Sequence, residues 1–331
     1  MTQTSKRMTE RVGSEARFDR TGAALALALG LGIAVCGGTS AAPGAAAPDL
    51  SWIPAQAAVV GQFDMAALRD HPALAPLWER LAASPGAQHL DRFAAKTGVD
   101  PRTNIDRVLF FGMPDPGAGG AAIVEGTFSQ DTLALFLDDA LGIEREEWSA
   151  RSVYLYHEGK SGREKAVTLL GPGRALVGDR DAVRMAVAVQ QGQVPAISSD
   201  AHELALWQSV IDRPHSILTA VAFPDLARTD NPVLRQLKEA TLTVQFDQTL
   251  AVEFLSVWPT AELAAAATNW MKATVQLHRQ AEAEPPAEWR AIKEAVADSL
   301  DMTADGTVAS IRVAVPATLI EERLRECALE H

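Results

Sequence analysis

The chain has 331 residues, 47% of them hydrophobic, 22% charged and 6% aromatic, with a formal net charge of −12. That apolar content excludes a disordered chain, which could not offset its conformational entropy by burial. The acidic excess excludes a phosphate-tracking face, so nucleic acid is not an expected partner, and two cysteines are too few for a disulfide scaffold or a thiolate zinc site.

Residues 1–48 read as a signal segment and flexible tether. Lys6, Arg7, Arg11, Arg17 and Arg20 precede the apolar run AALALALGLGIAV at 23–35, the order of a secretory leader. That run is short of the roughly 20 apolar residues a spanning helix needs. Three fates follow: cleavage between Ala41 and Ala42, lipidation of Cys36, or retention as an anchor. The stretch Ile33-Ala34-Val35-Cys36 resembles a bacterial lipobox, although Val35 stands where a small residue is usual. Membrane contact is expected through this segment alone.

The remainder is expected to be α+β, built as two tandem, related ferredoxin-like (split βαβ) modules with antiparallel sheets, at 49–195 and 210–331. A shift of 160 places lays residues 58–77 (AVVGQFDMAALRDHPALAPL) over 218–237 (LTAVAFPDLARTDNPVLRQL), with Phe63 on Phe223 and Pro72 on Pro232 among six identities. In each copy a strand ends at the Phe and a helix opens at the Pro, with His71 and Asn231 as N-caps. The first module continues with strands at 105–112 and 121–128 and a helix at 130–141. Strands at 153–157 and 166–177 and a helix at 180–190, capped by Asp179, complete it. The second has strands at 241–246 and 250–258, a long helix at 261–278, a helix from Trp289 to Leu300, a strand at 308–315 and a last helix carrying Ile320, Leu324 and Cys327. The acidic stretches at 144–147 and 281–288 read as solvated loops. Two such modules would leave a cleft between two sheets.

Candidate chemistry is sparse. Gly159-Lys160-Ser161 lacks the upstream glycine and following helix of a phosphate loop and reads as a hairpin turn. The glycine-rich stretch at 114–122 also reads as a turn. The seven histidines show no metal-ligand spacing, so no metal and no cofactor are expected. Cys327 reads as a small core residue and no catalytic residue is named. Tyr154, Tyr156 and Glu158 alternate on one strand, with Lys160 and Arg163 on the turn beyond. Together these five form a candidate patch for a ligand or partner, and the plain alternative is a half-buried strand.

The succession of His71-Pro72 helix start, Gly98-Val99-Asp100-Pro101 loop and Val124-Glu125-Gly126 strand resembles uncharacterised exported proteins of Gram-negative bacteria, mainly over residues 50–190. The resemblance implies a periplasmic or membrane-anchored location and no activity. An exported, envelope-associated binding or interaction protein without catalysis is therefore expected, its partner an unknown envelope protein or glycan. The alternatives are a periplasmic carrier of an apolar small molecule or lipid and an envelope hydrolase with a dispersed site.

Overall fold

The computed structural model describes residues 49–329 apart from 85, 116, 118, 159–161, 212, 214, 224–233 and 282–288. Cys36, Ala41 and Ala42 of the expected leader, the expected cap Asn231, and Lys160 all lie outside the described residues. Among those residues, no helix is long and apolar enough to cross a membrane.

Twelve strands form one sheet. From Val59–Asp64 (β1) the first half runs through Ile105–Gly112 (β2), Gly120–Gly126 (β3), Glu144–Trp148 (β4), Arg151–His157 (β5), Glu164–Gly171 (β6) and Arg174–Asp179 (β7). The second half contributes Ser216–Ala222 (β8), Glu239–Phe246 (β9), Thr249–Val257 (β10), Asp301–Asp305 (β11) and Val308–Pro316 (β12). The spatial order is β11-β12-β10-β9-β8-β1-β2-β3-β7-β6-β5-β4. The two halves meet at β1 and β8, which pair antiparallel from Val59↔Ala222 to Phe63↔Leu218.

The α+β class holds, but the split βαβ topology does not. That element needs parallel neighbours joined by a helical crossover, whereas β1, β2 and β3 are antiparallel neighbours, as are β8, β9 and β10. The continuous sheet also removes the expected cleft between two sheets. The 160-residue register fails for a physical reason as well. Side chains alternate along a strand, so a two-fold relation between β1 and β8 must keep each residue on its face. Phe63 packs into the core on one face, called the back here, and Phe223 into the core on the other, the front.

Nine helices are assigned among the described residues: Met65–Arg69 (α1), Ala75–Ala83 (α2), Ala87–Thr97 (α3), Gln130–Asp139 (α4), Arg180–Gln190 (α5), Ala201–Ile211 (α6), Ala261–Ala281 (α7), Arg290–Ser299 (α8) and Ala317–Leu329 (α9). On the front, Ala182, Val183 and Ala186 of α5 and Trp207 and Val210 of α6 pack with Val60, Leu109 and Ile123 of the sheet. On the back, Leu133 and Leu137 of α4 cover Val124, Val167 and Val177, and Ala317, Ile320 and Leu324 of α9 join the same core near Phe246. His71 ties the halves together. Its Nδ1 accepts from the Ala73 N–H as an N-cap, its Nε2 lies 3.1 Å from the Asp247 carbonyl, and its ring stacks on Phe246 at 4.1 Å.

Candidate functional site

The expected patch is taken apart by the fold. Tyr154 and Tyr156 are 3% and 7% exposed and belong to the back core beneath α4, so they present no aromatic face to a partner. Burial, with Glu158 and Asp179 nearby, pushes the Tyr156 phenol up to about 12. Glu158 closes the β5–β6 hairpin: its N–H donates to the Arg163 carbonyl, and its carboxylate lies 3.7 Å from Lys165 Nζ. Arg163 is exposed on the same turn. Among the described residues, no three His, Cys, Asp or Glu side chains gather in metal-ligand fashion.

Arg163 lines a different feature, a polar pocket of about 400 Å³ at the start of α5, together with Gly117, Glu164, Asp179, Arg180, Asp181 and Arg184. Asp179 does not cap α5. Its carboxylate accepts instead from Lys165 Nζ at 2.9 Å and from the Gly120 N–H at 3.0 Å. Arg180 pairs with Glu164 at 2.6 Å, and Arg184 lies over the Trp148 ring at 4.8 Å.

Another departure from a closed core lies on the back of the second half. Strand pairing aligns two adjoining rows of side chains there. One runs Ala220, Leu242, Phe254, Ile311, and the other Leu218, Val244, Val252, Val313. Every member is apolar and half-buried. The rows on either side are covered. Phe246 lies in the core that α9 joins and Val315, in the same row, is equally buried at 4% exposure, while Ala309, fully buried, packs with Trp258 and with Ala264 and Ala267 of α7. The two half-buried rows thus form an apolar strip, the floor of a candidate groove, that crosses β8, β9, β10 and β12 between α9 and α7, with α8 packed beside β12, where Ser299 Oγ accepts from the Ala314 N–H. In the first half the same rows pass through half-buried Phe63, Phe110 and Leu169 as well as Val108, Val124, Val177 and Val167, which are 8% exposed or less.

The sequence pattern alone identifies which residues share a strand face but not which face a helix covers, so the groove has no signal in periodicity. No family model matches the chain, and no curated protein matches it either. Among solved structures, crystal form III of TP0453 is similar with a TM-score of 0.45 and 10% identity, covering 86% of this chain and 100% of that one. Crystal form IV of TP0453 is similar with a TM-score of 0.43 and 10% identity, over 86% and 97%.

Proposed function

We propose that the protein is an exported, envelope-associated binding protein whose binding surface is the apolar groove between α7 and α9. The observation that carries this reading is the pair of open rows. Eight apolar side chains on four neighbouring strands are left half-buried, side by side and with no polar side chain among them. A face of this kind is stabilised when an apolar partner removes it from water, at about 25 cal/mol per Å². The basic-then-apolar leader supports export, and the tether at 42–48 supports attachment or release near a membrane.

An apolar segment of a partner protein is the primary occupant, in keeping with a strip that runs across four strands. A carrier of an apolar small molecule or lipid is the second reading, favoured by the absence of any polar side chain in the two rows. Mass spectrometry under non-denaturing conditions on protein purified without detergent from its native host separates them. A co-purifying polypeptide supports the first, a discrete added mass below about 2 kDa the second. The bare chain from every preparation contradicts both.

A further inference from the structure

The polar pocket at the start of α5 is a second site, independent of the groove. Its charges are not equally engaged. Arg180 is held by Glu164 and by Glu146, and Asp179 by Lys165 and the Gly120 N–H. Among the described residues, two of the pocket's charged side chains, Arg184 and Asp181, make no hydrogen bond or salt bridge. Arg184 is nonetheless fixed in place. Its guanidinium lies over Trp148 at 4.8 Å, and that indole is anchored by its own N–H donating to Glu146 Oε2 at 2.7 Å. A guanidinium held over a ring still has N–H groups to offer a two-oxygen anion, and Arg180 lies over the same ring at 5.9 Å. Because Asp179 turns its carboxylate away from α5, no side chain caps the first N–H groups of that 11-residue helix, which favour negative charge beside them.

Asp181 narrows the class. Its carboxylate, three residues before Arg184 on α5 and close enough to Arg180 to favour that cation, opposes a bare anion and accepts hydrogen bonds from hydroxyl groups. A volume of about 400 Å³ lies in the range of small-molecule sites and far exceeds one phosphate. From this combination the geometry points to an acidic sugar as the ligand, its carboxylate on Arg184 and its hydroxyls on Asp181. Arg163, on the β5–β6 turn, lies at the rim. The site stands on the opposite side of β1 from the groove, in the first half of the sheet.

The test is calorimetric titration of the full-length chain with galacturonate, galactose and inorganic phosphate at low salt. Saturable binding of galacturonate is expected, weaker for both controls, and weakened roughly tenfold in Arg184→Gln, the scale of one charged hydrogen-bonding pair. Arg184 is exposed, so this variant keeps its melting temperature, and Arg184→Lys retains part of the affinity. Phosphate binding as tightly as galacturonate, unchanged affinity in Arg184→Gln, or no saturable binding of galacturonate would each overturn the assignment.

Discussion

Gly61 lies directly opposite Phe110 in the β1–β2 ladder, and the Phe110 ring occupies the space that a Cβ at Gly61 would need. The ring lies across the middle of the sheet, with Phe63 beside it at a centroid distance of 5.4 Å. Replacing Gly61, on the strand where the two halves meet, with Ala forces Phe110 of β2 off its position. The expected loss is about 1–3 kcal/mol, the usual cost of overpacking. Urea denaturation of Gly61→Ala checks it, and a double variant with Phe110→Leu should recover part of the loss.

On the opposite face, Gln62 faces Thr219 across the β1–β8 ladder. Both are buried, and neither Gln62 Oε1 nor Thr219 Oγ1 has a hydrogen-bond partner. Trp207 Nε1 and Glu203 Oε2, one turn apart on α6, share that condition. Buried polar atoms without partners cost about 1–3 kcal/mol each. The Gln62→Leu, Thr219→Val pair is therefore expected to match or exceed the wild-type denaturation midpoint. A clear fall in the midpoint would show that these groups are engaged in the folded protein.

The two tyrosines supply a pH test. Tyr156 has its phenol pushed up to about 12, by burial first and then by Glu158 and Asp179, against an unfolded value near 10. Tyr154 is raised as well, again chiefly by burial. The folded state thus holds these protons where the unfolded state releases them. The Tyr156 contribution to stability is complete below pH 10 and lost as pH rises from 10 towards 12, and Tyr154 adds to it in the same direction. Spectrophotometric titration near 295 nm should show tyrosinate appearing in the folded protein only above the pH at which free tyrosine ionises, with the Tyr156 phenol the later of the two.

The acid limb depends on Glu253. Burial opposes its ionisation, but hydrogen bonds from Arg213 and Arg312 outweigh that and hold the carboxyl below its ordinary value. Stability from this cluster is present above the unfolded pKa and lost as pH falls through the lowered one. Glu253→Gln leaves both arginines without their anion, one of them spanning from the α6–β8 connection to β10. A loss of about 1–3 kcal/mol at pH 7 is expected, shrinking as pH falls towards 3, in denaturant titrations at several pH values.

Much of the first half was legible from local pattern. β2 and α5 occupy the residues the apolar periodicity marks, and Pro72 opens a 3-10 turn that His71 caps. Three misreadings have physical causes. β4 (EREEW) carries almost no apolar signal because it is an edge strand, and its charges lie in salt bridges such as Arg145–Asp138 and Arg180–Glu146. The run at 166–177 is two strands, since Gly171 and Gly173 take positive φ values of 147° and 65° and turn the chain between them. α6, placed in the expected boundary, instead seals the junction of the halves through Trp207 and Val210. The groove and the pocket depend on where helices from distant parts of the chain come to rest, which no local pattern encodes.

The groove is tested most directly by binding of a neutral apolar fluorophore, N-phenyl-1-naphthylamine, to the wild-type chain and to Phe254→Asn, with far-ultraviolet circular dichroism confirming that the variant is folded. The account predicts saturable binding to the wild type, displaced by an apolar ligand and weakened at least tenfold, about 1.4 kcal/mol, in the variant. Equal binding to both folded proteins, or none to the wild type, would contradict it.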